Sequence, residues 1–223
     1  PSRPCTQSRL IAIFTESTRL IWPAPMPSVA SPSATTIAFD FTCRQTAHAK
    51  RRSFHSASVG WRFETTVQFA VAGLRTLRGE SVAGYKIGCV SEAIRSQLGL
   101  DSPAFGHVWS SELYPHGSVL RPERFANLAI EGELAVRIAS EDGRIAAAFP
   151  VIELHHHVFR RKPTSMELIA NNAIHAGVVL PAEGASVDPA AERISVLRNG
   201  EVLGTAAASA LPGGPAEAVD LVR

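Results

Sequence analysis

The sequence predicts an α+β fold. Apolar residues recur at helical spacing from about Trp61 to Leu77, and Thr164 opens a second helix with its own capping signal. Between and after these lie runs that read as strands, closing on a hairpin around Asn199-Gly200. Strands dominate the second half and no internal repeat is visible, so helices and strands are mixed without regular βαβ alternation.

The chain has 223 residues, enough to bury a core, and 45% are hydrophobic and 19% charged. Its net charge of +2 is uneven. Residues 1–60 hold seven basic and two acidic residues, which leaves 15 basic and 18 acidic ones for the other 163. The region expected to fold is thus slightly acidic, which argues against a nucleic-acid partner. No apolar run reaches the roughly 20 residues of a membrane span. Cys5, Cys43 and Cys89 are far apart and form no C-x-x-C, so neither a disulfide framework nor a thiolate zinc site is expected. Cys89, beside a strand, reads as a core residue or as a nucleophile.

Residues 1–60 are rich in Ser, Thr, Arg and Pro, and no sustained pattern survives the prolines from Pro1 to Pro32. They are expected to form a basic, disordered extension. The acid-free stretch Lys50–Ser58 has the composition of an organelle transit peptide, which would give a mitochondrial rather than a cytoplasmic location. The apolar run Leu10–Phe14 is too short for a secretory signal. Order is expected from Trp61, with Phe63, Val67, Ala70, Val71, Leu74 and Leu77 forming the apolar face of a helix that Gly79 stops. Val82–Gly88 reads as a strand. Ser91 caps a short helix ending at Leu98-Gly99. A loop-rich stretch runs over 101–127, followed by strands at Ala129–Ile138 and Phe149–Phe159, with a turn at 141–144 between them. Thr164-x-x-Glu167 is a capping box for a helix expected to run to Gly177. Ile194–Arg198 and Glu201–Thr205 flank a type I′ turn.

Chemistry concentrates in Ile130-Glu131-Gly132-Glu133-Leu134. Alternation sets Glu131 and Glu133 on one face, about 6.6 Å apart. Two readings fit: a solvated strand face, or carboxylates held together by a hard dication such as Mg²⁺ or Mn²⁺. Gly132 between them suggests close approach by a ligand or backbone. Glu153 lies within the apolar run Phe149–Leu154, where a carboxylate needs a cation or a hydrogen-bonding partner. Lys86, between Gly84 and Gly88, is either an exposed strand lysine or a ligand-contacting one. In His155-His156-His157, only His155 and His157 share a strand face, which suits surface decoration or a site rim better than zinc. Asn171, Asn172 and His175 sit on the Thr164 helix, as a polar face or with polar work to do.

These segments resemble the fumarylacetoacetate hydrolase superfamily, in its 2-keto-4-pentenoate hydratase / 4-oxalocrotonate decarboxylase branch. The resemblance rests on Gly79-Glu80, Ala83-Gly84-Tyr85-Lys86-Ile87-Gly88, Gln97-Leu98-Gly99-Leu100-Asp101-x-Pro103-x-Phe105-Gly106, Glu131-x-Glu133, Pro150-x-x-Glu153, Ala170-Asn171-Asn172-Ala173 and Leu211-Pro212-Gly213-Gly214-Pro215, in that order over residues 61–223. It implies a mixed β-roll of the family's C-terminal-domain type with flanking helices. It implies Mg²⁺ or Mn²⁺ on Glu131, Glu133 and Glu153, and a small 2-oxo acid or 2-hydroxydienoate substrate that chelates the metal and passes through a metal-stabilised enolate. Lys86 would balance charge or move a proton, and Tyr85, Asn172 and His175 would contact substrate. A homo-oligomer and a role in aromatic-compound catabolism are also implied.

The sequence departs from the family pattern in three places. Ser111 stands where the branch carries an acid, with Glu112 next to it, so both are candidates for the catalytic site beside Lys86. The stretch from Glu133 to Glu153 is short, as if a helix were absent. The chain ends soon after Leu211–Pro215, where the family continues with a helix and closing strands, so a C-terminal part is expected to be missing. Hydration is the leading expectation. The alternatives are decarboxylation, acylpyruvate C–C hydrolysis with His107 or His116 as the base, and an inactive or regulatory paralogue.

Overall fold

The computed structural model describes residues 9–13, 20–21, 64–139, 143–183, 185–190, 193–207 and 214–222. The strands are β1 Arg9–Ile13, β2 Leu20–Ile21, β3 Val82–Gly88, β4 Ala104–Trp109, β5 Leu113–Tyr114, β6 Leu128–Ile138, β7 Ile145–His156, β8 His175–Val179, β9 Arg193–Arg198 and β10 Glu201–Ala207. The helices are α1 Glu64–Leu77, α2 Glu92–Leu98, α3 Ser165–Ala170 and α4 Gly214–Leu221. The fold is α+β. Eight strands form one mixed sheet in the order β4-β3-β1-β6-β7-β8-β5, with β2 also paired to β6, while β9 and β10 form a separate hairpin.

The strand expected at Val82–Gly88 recurs with its bounds and β6 starts one residue early, but β7 starts four residues early, and β4 and β5 lie in the stretch 101–127 expected to be loop-rich. Ser91 Oγ accepts from the Ile94 N–H, and Gly99 at φ 70° ends α2. Thr164 and Glu167 close their capping box at the start of α3. Asn199 and Gly200, at φ 53° and 83°, make the tight turn between β9 and β10.

Four expectations are corrected. Order does not begin at Trp61: β1 pairs in parallel with β3 and antiparallel with β6 in the middle of the sheet. The run Leu10-Ile11-Ala12-Ile13, too short for a signal, suits a central strand. The transit-like stretch 50–58, Cys5 and Cys43 lie outside the described residues, as do residues 141 and 142 of the turn at 141–144.

Second, the apolar stripe of α1 does not face the core. Among the described residues Val71 and Leu74 are 43% and 58% exposed, while Gln68 is 2% exposed. Gln68 Nε2 donates to Phe105 O at 2.7 Å and to Ile169 O at 3.1 Å, and this buried polar tie sets the helix's rotation. Phe63 lies outside the described residues.

Third, the Thr164 helix stops at Ala170. Asn172, Ala173 and Ile174 follow with φ of 55°, 51° and 57°, a left-handed turn that Asn readily enters and that Ile adopts only when held there. Gly177 then belongs to β8. Its missing Cβ leaves room for the Tyr114 ring and the Glu112 carbonyl.

Fourth, what approaches Gly132 closely is a side chain of β9. A Cβ there would stand 2.3 Å from Val196 Cγ2, so the glycine lets β9 seat on the sheet.

The core splits between the sheet's two faces. On one, Leu134, Val136 and Ala148 pack against Ile194 of β9 and Ala218 and Val219 of α4. On the other, Val108 of β4, Ala135, Phe149, Val151 and Val178 of β8 form one cluster. Because four strands lie between β4 and β8 in the order and the two still touch, the sheet curls around this second face. Cys89 is partly buried and packs against the cluster that holds Leu100 and Ala104.

Candidate functional site

The antiparallel register of β6 and β7 sets Glu131 directly opposite Glu153, Glu133 opposite Val151 and Ala129 opposite His155. Directly opposed residues share a face, as do residues two apart. Glu131, Glu133, Glu153 and His155 therefore lie together on the curled-in face, next to the second apolar cluster. Glu133 and Glu153 are 0% and 1% exposed.

Lys86 reaches the same face from β3. Its Nζ donates to Glu153 Oε1 at 2.6 Å and to Ala173 O at 3.4 Å. The strand opposite makes this possible: Lys86 pairs with Gly106, where a Cβ would come within 2.6 Å of the Lys86 stem and 2.9 Å of Asn172 Oδ1. The exposed-lysine reading fails, because Lys86 is 2% exposed.

His175, at the start of β8, sets Nδ1 in hydrogen-bond contact with Glu153 Oε1 and Nε2 3.6 Å from Glu112 Oε2. His155 sets Nε2 2.8 Å from Glu153 Oε2 and Nδ1 3.6 Å from Glu131 Oε1. The two oxygens of Glu153 are thus divided, Oε1 to Lys86 and His175, Oε2 to His155. Burial opposes ionisation of Glu153, but His155 and Lys86, aided by the His175 hydrogen bond, hold its carboxyl well below the usual carboxylate range.

Of the two acid candidates, Glu112 belongs to the cluster and Ser111 does not. Ser110–Glu112 is a 3₁₀ turn, in which neighbouring side chains diverge by about 120°. Glu112 turns in to His175 and to Arg75 Nη2 at 2.8 Å. Exposed Ser111 donates to Glu80 at 3.4 Å. Tyr85 alternates to the opposite face, where its ring stacks on Phe105 and lies against His107. Asn172 is occupied elsewhere too. Its Oδ1 accepts from the His107 N–H at 2.7 Å and its Nδ2 donates to the His107 carbonyl at 2.8 Å. It thereby covers the outer edge of β4, a structural role. His107 lies among the rings of Phe69, Phe105 and Trp109, away from the carboxylates, and His116 is exposed, so neither forms the His–Glu pair an acylpyruvate hydrolase would use.

Sequence reasoning missed His155 as a member of the cluster and read the histidine run as surface decoration or a site rim. The signal available was its i+2 spacing from Glu153.

The residues fit a divalent cation. Three carboxylates share a buried face with one ammonium group. Glu131, Glu153 and His155 each offer a donor atom within 4.8 Å of the others'. Glu133 lies outside that trio on the same face.

No protein-family model matches the chain. The 2-keto-4-pentenoate hydratase of Burkholderia vietnamiensis is 31% identical over 160 residues, 65% of this chain and 61% of that protein. A 4-oxalocrotonate decarboxylase of a Pseudomonas species is 25% identical over 171 residues, 70% of this chain and 65% of that protein. The chain therefore spans less than two thirds of these relatives. The solved 4-oxalocrotonate decarboxylase of Pseudomonas putida G7, complexed with magnesium and adipate, superposes with a TM-score of 0.61 at 21% identity, over 71% of this chain and 68% of that one. That likeness speaks for the fold. The motifs in order, the register that sets Glu131 opposite Glu153, and the matched relatives make the chain similar to the 2-keto-4-pentenoate hydratases and 4-oxalocrotonate decarboxylases.

Proposed function

We propose that this chain carries the catalytic centre of a divalent-metal-dependent hydro-lyase that hydrates a small 2-hydroxydienoate, the enol form of a 2-oxo acid such as 2-keto-4-pentenoate. The carrying observation is the buried convergence of Lys86, Glu131 and Glu153, in a chain 31% identical to a 2-keto-4-pentenoate hydratase. The curled sheet is read as the family's β-roll.

Glu131, Glu133 and Glu153 would supply carboxylate oxygens to Mg²⁺ or Mn²⁺. Bound there, the dication supplies Lewis-acid charge to the substrate's carboxylate and 2-oxo oxygens. Lys86 orients the substrate: its ammonium, steadied by Glu153 and the Ala173 carbonyl, is the fixed positive charge that a 2-oxo acid's carboxylate meets on this face. Glu112 holds or moves a proton at Oε2, beside His175 Nε2, and takes the part expected of an acid at Ser111. The wall of Val108, Ala135, Phe149, Val151 and Val178 keeps bulk water from the rest of the face. The same reading places the protein in aromatic-compound degradation, as a cytoplasmic homo-oligomer. Among the described residues no helix is long and apolar enough to cross a membrane.

The test is consumption of 2-hydroxypenta-2,4-dienoate, followed by its ultraviolet absorbance. Turnover should need Mg²⁺ or Mn²⁺ and stop with a chelator. Glu133→Gln should abolish it while leaving the circular dichroism spectrum unchanged, and undiminished turnover in that variant rejects the metal assignment. Decarboxylation is the second reading, favoured by the 4-oxalocrotonate decarboxylase relative. Carbon dioxide released from 4-oxalocrotonate, with no water added to the dienoate, would decide for it.

A further inference from the structure

Building on the metal-dependent reading, we propose that His155 is a nitrogen ligand of the cation held by Glu131 and Glu153. The centre is then a mixed carboxylate–imidazole site that favours Mn²⁺ over Mg²⁺.

The strand ladder builds this arrangement. Glu153 and His155 are two residues apart on β7, and Glu131 faces Glu153 across the register. The residue facing His155 is Ala129, whose small side chain leaves the imidazole room to lie along the sheet. The three side chains are 15%, 1% and 7% exposed, in the order Glu131, Glu153, His155. One donor atom from each already lies within 4.8 Å of the others. Two ligands on one ion at about 2.0–2.2 Å stand no more than about 4.4 Å apart, so small side-chain adjustments close the trio on an ion.

The division of Glu153 points the same way. Lys86 and His175 hold Oε1, which leaves Oε2 turned toward His155 and the Glu131 side. Both nitrogens of His155 lie toward carboxylates of the trio, so the edge of the imidazole faces the space that an ion between Glu131 and Glu153 would take. His175 takes that supporting part for Glu153. It lies on Oε1, with its other nitrogen toward Glu112.

The consequence is selectivity. Mg²⁺ takes oxygen donors and holds its waters, whereas imidazole suits first-row transition dications. A nitrogen donor therefore tips a site otherwise made of carboxylates toward Mn²⁺.

The experiment is pulsed electron paramagnetic resonance on the full chain loaded with Mn²⁺, joined to competition between Mn²⁺ and Mg²⁺. The wild-type spectrum should show modulation from a directly bound imidazole nitrogen. The signal should vanish in His155→Gln and persist in His175→Gln. Mn²⁺ affinity should drop in His155→Gln by at least the roughly tenfold loss that follows removal of a ligand's supporting partner, with a smaller change for Mg²⁺. Bound Mn²⁺ without nitrogen modulation, or modulation that survives His155→Gln, overturns the proposal and leaves the hydro-lyase reading standing. Failure of the wild-type chain to bind Mn²⁺ overturns both. If His155→Gln does not fold, the wild-type spectrum and that of His175→Gln decide the matter, and modulation lost in His175→Gln overturns the proposal.

Discussion

The two faces of β6 and β7 share a backbone and differ in everything else. One carries Glu131, Glu133, Glu153 and His155, and the other, one residue out of phase, carries Leu134, Val136 and Ala148 beneath the β9–β10 hairpin and α4. The difference teaches how a small domain keeps buried charge. The apolar face closes against Ile194, Ala218 and Val219 and supplies hydrophobic stabilisation. The charged face is tolerable because the register puts cationic or hydrogen-bonding groups beside its carboxylates. A shift of one residue in the β6–β7 register would exchange the two faces, so each specifies the other's alignment.

The sharpest way to break the comparison is to make the charged face apolar at one point. Glu153→Leu leaves Lys86 buried without its carboxylate, and urea denaturation should show a loss of about 3–5 kcal/mol. Adding Lys86→Met should recover a large part of that loss while leaving the protein inactive. If Glu153→Leu is neutral on its own, the charged face does not depend on pairing.

A smaller effect is expected on the other face. Gly132→Ala drives a methyl group into Val196 and should cost about 1–3 kcal/mol, with most of it restored by a second change, Val196→Ala. Absence of that rescue would mean the hairpin does not seat on Gly132.

The smallest effects belong to a control away from both faces, the start of α3. Thr164→Ala removes a cap and should cost about 1 kcal/mol, leaving metal affinity unchanged. Its partner Glu167 is held at about 2, below the usual 4.5, first by the Arg161 hydrogen bond and then by the Thr164 backbone. A lowered carboxylate stabilises the folded state above its unfolded value. Its contribution should therefore be full above about pH 4.5 and fade as pH falls toward about 2. In Glu167→Gln, thermal midpoints should lose that part of their acid dependence.

Much of the fold was legible because its signals are local. Ser91, Gly99, Thr164, Glu167 and Asn199-Gly200 act within three or four residues, and each ends or begins an element where expected. The shared face of Glu131 and Glu133 also follows from period-two alternation alone. The errors are of another kind. The apolar stripe of α1 is a true helical pattern, yet Gln68, tied to carbonyls on β4 and α3, decides which way the helix turns. Asn171 and Asn172 were recognised as poor mid-helix residues, but the helix was carried past them, and Asn172 instead covers the edge of β4. Ser111 and Glu112 were left as alternatives because only the 3₁₀ turn, not the residue types, separates their directions.

The sequence by itself determined which residues could do chemistry and which family they resemble: a lysine in a glycine-flanked strand, an E-x-E strand and a lone acid in an apolar run. These are properties of composition and short-range spacing. Only the tertiary structure decided that Lys86 meets Glu153 across 67 positions of sequence, that Glu112 rather than Ser111 joins His175, and that His155 stands among the carboxylates. The reason is that strand register and sheet curl are set by the packing of whole faces. No single segment holds that information.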